Sequence, residues 1–219
     1  MRTLVRERSG MTALDVGCGP GLVMELFSPF LDVTGLDIDP EMVQQVRSKG
    51  MEAVQGDAQD LPFDDDSFDI VYCSFTMLWL KDQKKAMAEM TRVARHCVVC
   101  LAEPDYGRRL CSPPEVARLD KALIRSLRAE GADPFTGRKL ERLMKRAGLE
   151  VDRGVHAGKW TGAQLREEAE AEWIALSRAV DGFVDAETLA KARSAWDEAL
   201  ATDTLVLINP MYYAIGWKR

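Results

Sequence analysis

Short apolar runs and amphipathic stretches alternate along the first half of the chain. Thr12–Val16 is an apolar run that ends at glycines, and Leu22–Phe30 carries apolar residues at helical spacing. Val33–Ile38 is a second run. Pro40 then opens a helix through about Lys49, with Asp39 as its N-cap and Gly50 as its stop. Met51–Gln55 predicts a third strand and Leu61–Ser67 a polar, acidic turn. Phe68–Phe75, rich in β-branched and aromatic residues, predicts a fourth strand. Asp82–Arg95 reads as a helix with Ala86, Met90 and Val93 on one side, and His96–Ala102 as a fifth strand. Strands alternating with helices predict a parallel sheet covered on both faces.

The second half has a different rhythm. Pro113 and Pro114 introduce a helix through about Ala129, with Val116, Leu119, Leu123 and Leu127 on one stripe. A further helix covers Gly137–Ala147 and stops at Gly148. Leu149–Ala157 predicts a sixth strand, Ala163–Val180 and Ala186–Ala201 two helices, and Leu205–Trp217 a seventh strand. The expected organisation is one domain over residues 1–219, with helical cap insertions at about 105–134 and 160–203.

Composition narrows the class. At 219 residues and 47% apolar, the chain can bury a sizeable core. The longest apolar run, Cys97–Ala102, suits a buried strand and is too short to span a bilayer. The N-terminus lacks the apolar core of a secretory signal, so the expected location is cytoplasmic and no membrane partner is expected. Lysine and arginine number 29 against 35 acidic residues, a net charge of −6, which argues against nucleic acid as a partner. Five cysteines without a secretory signal point to free thiols. Cys97-Val-Val-Cys100 has zinc-like spacing, but residues three apart on a strand face opposite ways, and no second ligand pair accompanies it; no metal is expected.

The chemical signal is Ala13-Leu14-Asp15-Val16-Gly17-Cys18-Gly19-Pro20-Gly21. A strand runs into three glycines and then into a helix, a turn through which a ligand can approach the backbone closely. The glycines fall as G-x-G-x-G, not as the dinucleotide pattern G-x-G-x-x-G. Pro20 removes an amide that a pyrophosphate would use. Asp15 would repel phosphate but suits the ammonium of an amino acid. A nucleoside with a cationic amino-acid tail, S-adenosylmethionine, fits this loop better than a dinucleotide does.

These residues resemble motif I of class I S-adenosylmethionine-dependent methyltransferases, especially the small type 11 domains. Leu36-Asp37-Ile38-Asp39-Pro40-Glu41-Met42, Gly56-Asp57-Ala58 and Leu61-Pro62-Phe63 with Ser67-Phe68-Asp69-Ile70-Val71 resemble that family's later motifs, in the right order. The resemblance spans about Thr12–Ala102 strongly and Lys139–Val151 and the last strand weakly. It implies an α/β, Rossmann-like, mostly parallel seven-stranded sheet in the order 3-2-1-4-5-7-6, with the last strand antiparallel. It further implies that Asp15, Gly17, Cys18, Gly19 and Gly21 border the cofactor and that Asp37 binds the ribose hydroxyls. Ile38 and Met42 would pack on the adenine, Gly56, Asp57 and Ala58 would form the turn beside it, and Cys73 and Ser74 would sit near the methionine portion. The family usually carries one or two helices before its first strand; here Met1–Met11 precede it.

Catalytic residues are less marked. Glu103 and Tyr106 follow the fifth strand, where ligands gather in parallel sheets, so Glu103 is a candidate proton acceptor and Tyr106 a candidate acceptor contact; a plain polar loop is the alternative. His156 is a further candidate base. Arg108 and Arg109 are candidates for recognising an anionic substrate. Cys18 has nothing basic near it in sequence and reads as packing. Methyl transfer from a sulfonium needs alignment more than a charge relay. The expected function is transfer from S-adenosylmethionine to a small-molecule acceptor, leaving S-adenosylhomocysteine, with the helical blocks supplying the acceptor pocket. The alternatives are a protein or RNA methyltransferase, a non-catalytic S-adenosylmethionine-binding module, and, disfavoured by the glycine spacing, an NAD-type oxidoreductase.

Overall fold

The computed structural model describes residues 10–156, 159–160 and 163–219. Most of Met1–Met11 and the predicted strand residue Ala157 therefore lie outside the described residues. In chain order the elements begin with β1 (Thr12–Val16), α1 (Leu22–Phe27), β2 (Asp32–Asp37), α2 (Pro40–Ser48), β3 (Glu52–Gln55), β4 (Phe68–Cys73), α3 (Gln83–Val93) and β5 (Ala94–Pro104). They continue with β6 (Leu110–Ser112), α4 (Pro114–Ala117), α5 (Asp120–Ala129), α6 (Leu140–Arg146) and β7 (Glu150–His156). The last are β8 (Lys159–Trp160), α7 (Ala163–Ala179), α8 (Ala186–Ala201), β9 (Val206–Ile208) and β10 (Met211–Trp217). The chain divides into two compact units: Met1–Glu103, Gly137–Gly154 and Tyr212–Arg219 form the first, Pro104–Thr136 and Val155–Met211 the second.

The first unit is built on a seven-stranded sheet in the order β3-β2-β1-β4-β5-β10-β7. Counting this sheet's strands alone, that is the expected 3-2-1-4-5-7-6. β1 pairs in parallel with β2 and β4, β2 with β3, and β4 with β5. β10 runs the other way. The Lys218 amide, just past its end, donates to the His96 carbonyl at the start of β5 at 2.9 Å. Tyr212, at its beginning, lies with the Glu103 carbonyl oxygen against Gly137, at the far end of β5.

Strand alternation sorts the side chains into two layers. Leu14, Val16, Val71, Cys73, Val98 and Cys100 pack with Met87 and Met90 of α3 and Met144 of α6. Ala13, Val33, Ile70, Tyr72, Cys97 and Val99 pack on the opposite face with Met24 of α1 and Val43 and Val46 of α2. Cys97 and Cys100 thus fall in different layers, as their spacing on a strand requires. The helix caps follow the local chemistry: the Asp39 side chain accepts from the Glu41 amide, with Pro40 in the first turn of α2, and Asp82 accepts from the Lys84 and Lys85 amides to start α3.

In the second unit the long helix expected from Pro113 is two helices, α4 and α5, with Val116, Leu119 and Leu123 buried along the predicted stripe. The expected single strand Leu205–Trp217 is two strands. Pro210 stands between them and cannot donate to a ladder, so β9 leaves the large sheet and joins β6 and β8 in a small antiparallel one. The rings of Trp173 and Trp196 lie 5.5 Å apart, joining α7 to α8.

Candidate functional site

The glycine loop closes on itself through hydrogen bonds. The Gly17 and Cys18 amides both donate to the Leu36 carbonyl, at 2.7 and 3.0 Å, and the Gly21 amide donates to the Cys18 carbonyl at 3.0 Å. The Gly19 amide donates to Asp37 Oδ2 at 2.8 Å. Pro20 has no amide, so every N–H from Gly17 to Gly21 is spent inside the protein. All three glycines hold positive φ, between 50° and 84°, which a side chain would resist. At Gly17 a Cβ would also collide with Thr76, whose hydroxyl donates to the Gly17 carbonyl at 3.4 Å.

Beneath the loop lies Asp15, 2% exposed. Its register partners are Gly35 on β2, which has no side chain, and Tyr72 on β4. Among the described residues neither Asp15 Oδ2 nor the Tyr72 hydroxyl has a hydrogen-bond partner. Burial pushes the Asp15 carboxyl up to about 8; the Tyr72 hydroxyl, close by but outside hydrogen-bond geometry, draws it back, and the Asp37 charge adds to the rise. Cys18 is buried against Gly35, and burial pushes its thiol up to about 12, the opposite of an activated nucleophile.

Asp37 ends β2 and ties the loop down. Its Oδ2 accepts from Gly19 and its Oδ1 from the Asp39 amide at 3.0 Å, and each oxygen keeps a further acceptor site. Ile38 beside it is 69% exposed, and Met42 is half-buried on α2. The Gly56 amide donates to the Asp37 carbonyl, which brings the following turn to the same end of the sheet. Asp57 organises that turn by accepting from the Gln59 amide at 2.8 Å, while the Ala58 methyl is buried in the core.

β4 ends at Cys73, two residues before the expected Phe75. Cys73 turns its thiol into the core, 3.6 Å from Cys100 Sγ. Ser74 is half-buried. Phe75 adopts φ of 55°, rare for an aromatic residue, and leaves its ring 45% exposed. Trp79, in the 3₁₀ turn Met77–Trp79, is 47% exposed. Sequence reading missed Phe75 and Thr76: nothing local marks a Thr that will cross to a glycine 59 residues earlier.

Glu103 is wholly buried. Its Oε1 accepts from the Thr76 and Met77 amides at 3.0 Å each, and its Oε2 has no partner. Burial pushes its carboxyl up to about 7, against the pull of those amides. It therefore holds the turn that carries Thr76. Glu103→Gln, which keeps the accepting oxygen, is expected to melt near the parent; Glu103→Ala strands two buried donors and is expected to lose about 2–4 kcal/mol in chemical denaturation. Both buried carboxyls keep protons more readily folded than unfolded. Their stabilising contribution is complete below the ordinary carboxylate range and is lost as pH rises through about 7 for Glu103 and about 8 for Asp15. Thermal melts of the ligand-free protein should fall across that window, and Asp15→Asn should flatten the fall.

Tyr106 lies in the second unit, in the 3₁₀ turn Tyr106–Arg108; burial raises its phenol, Arg109 pulls it down and Glu172 pushes it up. Arg109 is engaged by Asp120 at 2.6 Å, and Arg108 lies 3.9 Å from Asp105. His156 is exposed at the end of β7. Among the described residues no group of side chains could hold a metal ion, and no helix is long and apolar enough to cross a membrane.

Residues 14–101 match the family described as a methyltransferase domain. An uncharacterised methyltransferase of Bacillus subtilis, YcgJ, is 40% identical over 96 residues, 40% of this chain and 38% of that protein. Its crystal structure superposes with a TM-score of 0.66 at 20% identity, covering 99% of this chain and 95% of that one. Demethylmenaquinone methyltransferase of Staphylococcus aureus is 37% identical over 105 residues, 43% of this chain and 44% of that protein. These two alignments thus span less than half of each relative's length. A Haemonchus contortus phosphoethanolamine N-methyltransferase, solved with S-adenosylhomocysteine, superposes with a TM-score of 0.61 at 17% identity, over 99% of this chain and 51% of that one. Residues 14–101 thus match a methyltransferase domain, and the chain shares its fold with these two structures.

Proposed function

We propose that the protein transfers a methyl group from S-adenosylmethionine to a small-molecule acceptor. The observation that carries this reading is the spent loop: from Gly17 to Gly21 no amide is left for a phosphate, while buried Asp15 below has an unpaired carboxyl oxygen. A loop whose amides are all engaged, beside an unpaired carboxyl oxygen, suits a cationic ligand and disfavours a pyrophosphate. Asp15 would face the amino-acid end, Asp37 the ribose, and Ile38 and Met42 the base, with Asp57 beside it. Gly56, Ala58, Cys73 and Ser74 would contribute backbone. The bound sulfonium supplies an activated methyl, and the chain's own task is to orient the ligand and exclude water.

A small acceptor is supported by the chain's acidic charge and by relatives named for demethylmenaquinone and phosphoethanolamine. Phe75 and Trp79 offer exposed apolar surface after β4, which suits an acceptor with an apolar or aromatic body. Glu103, Tyr106 and His156 remain candidates for handling the acceptor's proton. The test is a screen of small hydroxyl, amine and quinol-type acceptors with S-adenosylmethionine, reading S-adenosylhomocysteine. Release above the acceptor-free rate with a small acceptor is expected. Release only with protein or RNA, or none from a protein that binds the cofactor, would overturn the proposal.

A further inference from the structure

Asp15 poses a problem of charge. It is buried between a glycine and a tyrosine, under a loop whose amides all point elsewhere. Among the described residues four titratable groups bear on it, Tyr72 and Cys73 from β4, Cys18 from the loop and Asp37 from the end of β2, and none of the four is cationic. Burial keeps the Tyr72 phenol and the Cys18 thiol neutral near pH 7, and the Asp37 carboxylate disfavours a second negative charge nearby. A buried carboxylate with no counter-ion among the described residues, and only a neutral hydroxyl close by, is costly to keep ionised, and such a group takes up a proton instead.

We propose that Asp15 holds a proton in the ligand-free protein and surrenders it when the ammonium of the ligand's amino-acid tail arrives, so that cofactor binding releases a proton to solvent. The inference rests on the S-adenosylmethionine reading. The balance is simple: the carboxyl O–H bond breaks, the proton passes to buffer, and the carboxylate left behind is matched by the ammonium. Two consequences follow. Affinity for ligands that carry the amino-acid tail rises with pH below neutrality, and adenosine, which lacks that tail, binds without proton release. Asp15 thereby acts as a specificity residue that becomes charged only when its partner is present.

The test is calorimetry of S-adenosylhomocysteine into the full chain at about pH 6.5, where the ligand's α-amino group is charged, in buffers of differing ionisation enthalpy. The dependence of heat on buffer reads the protons released. About one proton per site is expected for S-adenosylhomocysteine and none for adenosine, with affinity climbing about tenfold per pH unit up to neutrality. Asp15→Asn should bind more weakly and release none. Binding with no dependence on buffer overturns the inference alone, as does undiminished release from Asp15→Asn. No binding of S-adenosylhomocysteine overturns the cofactor reading and the inference with it.

Discussion

Asp37→Ala is expected to weaken S-adenosylhomocysteine binding at least about a hundredfold, measured by calorimetry. The carboxylate has two duties. It accepts the Gly19 amide at 2.8 Å and the Asp39 amide at 3.0 Å, and in the proposed function it also accepts from the ribose hydroxyls. Hydrogen bonds to a charged group contribute about 1.5–3 kcal/mol each, and a factor of ten in affinity is about 1.4 kcal/mol. Losing the ribose bonds alone reaches a hundredfold, and untying the loop from β2 adds to it. Asp37→Asn keeps one accepting oxygen and should fall between the two. Affinity unchanged in Asp37→Ala would remove Asp37 from the site.

Gly17→Ala is expected to cost about 3 kcal/mol of folding stability and to abolish detectable cofactor binding. Two costs combine. A φ of 72° is strained for any residue with a Cβ, by about 1–2 kcal/mol. The new methyl would also lie within van der Waals contact of Thr76, 2.6 Å from its hydroxyl oxygen, and overpacking of this kind costs about 1–3 kcal/mol. The costs are separable. Adding Thr76→Ala to Gly17→Ala should recover the steric part in a denaturant melt and leave the backbone part. A Gly17→Ala protein as stable as the parent would contradict the geometry, as would a double variant no more stable than Gly17→Ala.

Legibility followed the range of the forces involved. β1 to β5 were readable because alternation and capping are local: Asp39 with Pro40 announces α2, and the apolar run around Val98 announces a buried strand. The positions of Asp15 and Asp37 near strand ends are legible as residue types. The neighbours of Asp15 across the sheet, Gly35 and Tyr72, are not, because they are a fact of register and not of spacing. The same holds for Thr76 over Gly17, and for Glu103, which looked like a loop acid and is a buried clamp on the turn after β4. Leu205–Trp217 was misread as one strand because propensity cannot say which sheet a strand joins; Pro210 was the available signal that the ladder breaks.

The central claim is that a loop with no amide to spare, set over an unpaired buried carboxyl, selects a cationic nucleoside over a dinucleotide. Titrating the wild-type chain with S-adenosylmethionine and, separately, with NAD tests it directly. Saturable binding of S-adenosylmethionine and none of NAD is the predicted result. Absence of S-adenosylmethionine binding, or NAD binding of equal strength, would contradict it.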